Sequence, residues 1–179
     1  HEEFVDRQGL ALRAVVCLRA YRKLPQLYDV AVLVATLDQP SAGLQGRFDA
    51  QAAAEGVRYA QARGRKVLVA LNTYAQPGSF DRWTGALDLA ADLGVDAVIL
   101  ADPGLMRYAV ERHPDLRLHL SVQGSATTYE AINFYVRHFG IRRAVLPRVL
   151  SLAQVEHVIG HAETEIEVFG FGSLCVMVE

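Results

Sequence analysis

From Gln51 onward the chain alternates two hydrophobic periods. Short runs rich in β-branched residues recur at Val67–Leu71, Ala97–Leu100, Leu118–Val122, Ala144–Leu146 and Ile166–Phe169, and each predicts a strand. Between them lie stretches with helical spacing and readable ends. Ser79 is placed to cap a helix with apolar positions Phe80, Trp83, Leu87, Ala90 and Ala91, and Gly94 is its left-handed stop. Phe80 and Trp83 read as core. Asp102-Pro103 is an N-cap followed by proline at the first helical position, and Pro114 ends that helix after His113. Thr127-x-x-Glu130 and Ser151-x-x-Gln154 are capping boxes, with Gly140 closing the first of these two helices.

Strands alternating with helices across short loops are the pattern of βα units on a parallel sheet. An open doubly wound sheet and a (β/α) barrel both satisfy it. No G-x-G-x-x-G turn follows a strand, which removes the dinucleotide-binding form of the first. The runs begin at positions 67, 97, 118, 144 and 166, a regular beat that suits a barrel. Eight such units take about 250 residues, so the expected fold is an incomplete TIM-like (β/α) barrel of parallel strands. The first fifty residues are less periodic: Tyr28–Leu37 and Val15–Cys17 read as strands, with no clear period around them.

Composition changes this picture little. At 51% hydrophobic and 21% charged the chain can bury a core, which excludes intrinsic disorder. Eighteen Lys+Arg against 20 Asp+Glu leave a net charge of −2, so no basic surplus points to a nucleic-acid binder, DNA or RNA, and only a local basic face would serve one. The run Val30–Leu37 is far too short to span a bilayer, and Arg13 interrupts Leu10–Leu18, so no leader is expected. Two distant cysteines, Cys17 and Cys175, fit a reducing cytoplasm. The chain starts at His1 and stops at Glu179 after the apolar run 173–178, so a fragment is expected.

In βα folds chemistry collects where strands end. Those positions hold Asn72, Asp102, Gln123, Arg148 and the segment from Glu167 to Cys175. Along the run from Leu118, strand alternation puts His119, Ser121 and Gln123 on one face, in the barrel interior. Arg148, with Arg142 and Arg143 before it, suits an anionic group. The plainer reading of Asp102 is an N-cap, of Asn72 a turn residue and of His119 a core histidine. His113, His138, His157 and His161 lie near helix ends and are expected to face solvent. No G-x-S-x-G elbow surrounds Ser121, and no H-E-x-x-H helix is present.

Five segments then carry a resemblance. Ala70-Leu71-Asn72-Thr73-Tyr74 with Pro77-Gly78, the segment Gly94 to Asp102, Ser121 to Thr127, Leu146 to Ser151 and Glu167 to Cys175 resemble, in order, the collagenase-like peptidase family (peptidase family U thirty-two). The match runs from about Ala50 to Glu179, so 50–179 reads as the partial barrel domain and 1–49 as a poorly matching segment, consistent with a frame slip or a mis-joined region. Two details resemble the UbiU branch: Phe171 where other members carry histidine, and Val149-Leu150-Ser151 where they carry Glu-Leu-Ser.

The branch resemblance implies an iron–sulfur subunit of an oxygen-independent ring hydroxylase in ubiquinone biosynthesis. It implies a homologous UbiV-like partner, a ubiquinone-precursor substrate and prephenate as a required metabolite. It also implies a 4Fe–4S cluster with Cys175 as its first ligand, the other ligands lying beyond the chain end. Such a cluster normally takes four thiolates, so this fragment alone is expected to be inactive. Asn72, Gln123, Arg148 and Glu167 fall on family motif positions and are the barrel-mouth candidates. The alternatives are a collagenase-like peptidase and an RNA-hydroxylating relative of the same family.

Overall fold

The computed structural model describes residues 30–33, 50–62, 64 and 66–169. In chain order the elements are β1 (Val30–Leu33), α1 (Ala50–Gln61), β2 (Lys66–Leu71), α2 (Phe80–Asp92), β3 (Ala97–Leu100), α3 (Pro103–Arg112), β4 (Leu118–Leu120), α4 (Tyr129–Phe139), β5 (Arg143–Val145), α5 (Leu152–His161) and β6 (Glu165–Glu167). The expected strand at Val15–Cys17, both cysteines and Phe171 lie outside the described residues.

The six strands pair in sequence order, β1 to β6, and every neighbouring pair is parallel. This order separates the two architectures left open above. A doubly wound sheet reverses its strand order at a switch point, whereas here each βα unit lays its strand beside the previous one, as along the wall of a barrel. Among the described residues β1 and β6 each pair on one side only, so the wall is an open arc.

Alternation along the strands divides their side chains between two faces. Val67, Val69, Leu71, Val98, Leu100, Leu118, Leu120, Ala144 and Leu146 point one way and share a core with Leu87, Leu105, Met106, Ile132 and Val158 of the helices. The opposite face is the inside of the arc. It carries Leu68, Ala70 and Ile99 on β2 and β3, then turns polar with His119, Arg143, Glu165 and Glu167 on β4 to β6.

Local chemistry fixes most element ends as the sequence predicts. Asp102 Oδ1 accepts from the Gly104 and Leu105 amides at 2.7 and 3.1 Å, and Ser151 with Gln154 forms a complete capping box. Gly94 (φ +66°) and Gly140 (φ +64°) turn the chain left-handed after their helices, where a side chain would be strained. Asn133, buried in α4, donates to the His161 carbonyl at 3.1 Å and accepts from the Glu163 amide at 2.8 Å. Those two bonds set the turn that launches β6.

Four expectations need correction. The cap of α4 is Thr128, whose extended backbone brings its hydroxyl to the Ala131 amide at 3.3 Å; the box at Thr127 is one residue out of register. Ser79 occupies the N-cap position of α2, but its hydroxyl donates to the Gln76 carbonyl at 2.9 Å and leaves the helix amides alone. Phe80 is 37% exposed, while Trp83 does pack against the core. His113 is half-buried rather than solvated: its Nε2 lies 2.6 Å from Asp88 Oδ1, and the Tyr108 hydroxyl donates to the same carboxylate. The His113 hydrogen bond holds the Asp88 carboxyl below its ordinary value.

Candidate functional site

The carboxyl ends of the strands bring the four candidates to one edge. Asn72 follows β2, Gln123 follows β4, Arg148 lies three residues past β5, and Glu167 is the last residue of β6. Gln123 does not sit on a strand as expected. The strand stops at Leu120, Ser121 caps a short 3₁₀ turn over Val122–Gly124, and its Oγ accepts from the Gln123 amide at 3.2 Å. Ser121 and Gln123 are therefore parts of a turn at the rim, and of the three expected interior polar residues only His119 is on the strand.

A strap crosses this edge. Asp102 Oδ2 accepts from the Ala75 amide at 3.1 Å while Oδ1 caps α3, so one carboxylate holds both the loop after β2 and the start of a helix. The cap reading of Asp102 was right but incomplete. One residue earlier, the Tyr74 hydroxyl donates to the Gln123 carbonyl at 3.0 Å, tying the β2 loop to the turn after β4. Partial burial raises the Tyr74 phenol above its ordinary value. Past β5 and β6, the Arg148 guanidinium lies 3.9 Å from the centroid of the Phe169 ring.

One layer deeper, inside the arc, the polar side chains form an ion-pair network. Register places His119 beside Arg143 and Arg143 beside Glu165. Arg143 donates through Nε and Nη2 to Glu165 Oε2 at 3.0 and 2.9 Å, and through Nη1 to Glu167 Oε2 at 3.2 Å. Arg117 Nη2 reaches the same Glu165 oxygen at 3.2 Å. The Arg143 hydrogen bond holds the Glu165 carboxyl below its ordinary value. Arg143 is thus committed to two carboxylates, which corrects its expected role beside Arg148 as an anion clamp. It fixes Glu167 at the rim instead.

His119 is 3% exposed. Its Nε2 accepts from Arg117 Nε at 3.1 Å, which puts the ring proton on Nδ1. Burial first, then the Arg143 and Arg117 charges, lower its pKa to about 4, so the ring is neutral at physiological pH. With Nε2 taken by Arg117 and Ser121 Oγ taken by its own turn, these two residues do not form a base–nucleophile pair.

The sequence did not single out Tyr74, Phe169, Glu165 or the second contact of Asp102. Tyr74 stood inside a quoted motif, but nothing in one sequence says that its hydroxyl crosses to Gln123. A groove of about 370 Å³ lined by Asp96, Arg112, His113 and Arg117 opens near the amino ends of the strands, away from the candidates.

Fold and rim together define a parallel (β/α) barrel-type protein with a polar carboxyl mouth. The sequence profile of Peptidase family U32 matches residues 41–179, and the chain belongs to this family. It is 33% identical to a tRNA hydroxylation protein P of Escherichia coli over 68% of this chain and 27% of that protein. It is also 33% identical to a tRNA hydroxylation protein P2 of Bacillus subtilis over 74% of this chain and 43% of that protein. A solved U32 peptidase structure superposes with a TM-score of 0.62 at 21% identity, covering 84% of this chain and 64% of the other, which supports the fold. The chain spans between 27% and 43% of the length of these two curated relatives.

Cys17 and Cys175 both lie outside the described residues, and the described residues hold no group of three or more His, Cys, Asp or Glu side chains arranged for a metal. No helix among them is long and apolar enough to cross a membrane.

Proposed function

We propose that this chain acts in the hydroxylation of RNA. The observation that carries the reading is its similarity to proteins named for tRNA hydroxylation in Escherichia coli and Bacillus subtilis, each 33% identical across most of the chain. The rim chemistry is compatible with it. The Asn72 and Gln123 amides offer paired donors and acceptors of the kind that read base edges, and Glu167 is a carboxylate held in place by Arg143. In this reading Cys175 supplies one ligand of a 4Fe–4S cluster whose other ligands lie outside this chain, and the protein works in the cytoplasm.

The test is the nucleoside content of tRNA from a strain lacking the gene. Digestion and mass spectrometry should show a hydroxylated nucleoside replaced by the species one oxygen lighter, restored by the intact gene. An unchanged nucleoside profile would sink the reading.

A second reading keeps the UbiU-like role, with a UbiV-like partner, a ubiquinone-precursor substrate and prephenate. Its support is local: Phe171 and Val149-Leu150-Ser151 depart from the wording of the other branches. The same strain decides between the two. Loss of ubiquinone during growth without oxygen, with tRNA unaltered, selects the second. A peptidase reading draws on the family name and on 33% identity to an uncharacterized protease of Methanocaldococcus jannaschii. Ser121 and His119, each engaged with another partner, do not pair as nucleophile and base to support it.

A further inference from the structure

We propose that Phe169, backed by Arg148, is a stacking platform at the barrel mouth for an unpaired nucleobase of the RNA substrate. The inference deepens the RNA reading above and rests on it.

Three observations lead there. Phe169 lies two residues past β6, at the edge that gathers Gln123 and Glu167, and half of its surface is open to solvent. An aromatic ring left out of the core at a strand end is not explained by packing, since the core of the arc lies on the far side of the sheet. The Arg148 guanidinium covers one face of the ring at 3.9 Å. A cation at that distance is attracted to the π-face and holds the ring in one orientation. The half of the ring's surface that stays open to solvent offers room for a second planar group.

The chemistry of the pair selects the ligand. Bases unstacked from single-stranded RNA are recognised by stacking on aromatic side chains and guanidinium planes. A base also carries a phosphate on either side, which favours the positive charge that Arg148 brings beside the ring. A prenylated phenolic ring would gain from the Phe169 face but carries no phosphate to meet the cation. Tyr74, half-exposed and anchored to Gln123 at 3.0 Å, is a second aromatic at the same rim. Enzymes that act on a base take it out of the stack before the chemistry begins, and a preformed platform lowers the cost of holding it there.

The experiment measures binding of the full chain to a fluorescein-labelled uridine dodecamer by anisotropy at fixed salt. Phe169→Leu removes the π-face and keeps the apolar bulk. It should weaken binding roughly 5- to 100-fold, the range of base–aromatic stacking. Phe169→Trp should bind within about twofold of the parent, because the face is retained. Arg148→Lys keeps the charge and loses the plane, and should fall between them. Thermal melting by circular dichroism confirms that each variant is folded; Phe169 lies outside the core, so its exchange should leave the melting point in place.

Binding of Phe169→Leu equal to the parent would overturn the platform while leaving RNA hydroxylation standing. So would Phe169→Trp as weak as Phe169→Leu, since the face would then be irrelevant. A parent that binds no RNA but binds 4-hydroxybenzoate in a Phe169-dependent way would overturn both, and would assign the same ring to a phenolic substrate.

Discussion

Burial and two guanidinium groups act together on the His119 ring, and their sum has a measurable consequence. The group titrates near 4 in the folded chain against 6.5 when exposed. Between those values the unfolded chain binds the extra proton, so stability falls as the pH is lowered through this window and is fully present above 6.5. A shift of this size corresponds to at most about 3 kcal/mol. His119→Gln, which cannot take up the proton, should flatten the decline. Urea denaturation at the two ends of the window checks it, and a parallel decline in parent and variant would remove His119 as the cause. At this scale the sequence was informative about residue type and silent about partners. His119 could be read as an interior histidine from strand alternation. Its contact with Arg117 is local, two residues back, but the approach of Arg143 depends on a neighbouring strand more than twenty residues away. Arg143 shows the same limit, because its two carboxylates on β6 become neighbours only through register.

Element boundaries were legible where one residue carries the whole signal and blurred where two compete. Asp102-Pro103 and Ser151-x-x-Gln154 each admit a single start, and the helices begin there. Thr127 and Thr128 are adjacent and chemically equal, so the box spacing selected the wrong one; backbone geometry gives the cap to Thr128. Thr128→Ala should therefore lower stability by about 1 kcal/mol, the ordinary value of an N-cap. Thr127→Ala, at an exposed position before the helix, should leave it within about 0.5 kcal/mol. Paired chemical denaturation curves distinguish them, and equal effects would contradict the assignment. The run from Leu118 failed in a different way. Val122 is apolar and buried, so it extends the pattern of the strand, yet it belongs to a turn. A buried turn residue and a buried strand residue look alike in a hydrophobic pattern.

For the whole molecule, the alternation of periods was enough to predict parallel βα units, while the choice between barrel and open sheet needed the strand order. Sequence pattern cannot supply that order, because both architectures are built from the same local unit. The four rim candidates were legible for the same reason. A parallel sheet puts every strand end on one edge, so knowing where strands stop locates the mouth without knowing which strands are neighbours. What pattern could not show was the contents of the arc, where an apolar wall on β2 and β3 meets an ionic one on β4 to β6.

The in-order pairing of the strands also shapes how the chain comes apart. Each unit leans on its predecessor and successor, as in a linear array of repeats, so opening can begin at either end and travel inward. Amide hydrogen exchange should report this as a gradient: slowest at Val98 and Leu100 of β3 and Leu120 of β4, with fully buried side chains, and faster toward β6, whose residues are half-buried or exposed. Uniform protection from β2 to β6 would mean a single cooperative unit instead. A graded array places the least protected backbone next to the rim residues of β6, where substrate would have to enter.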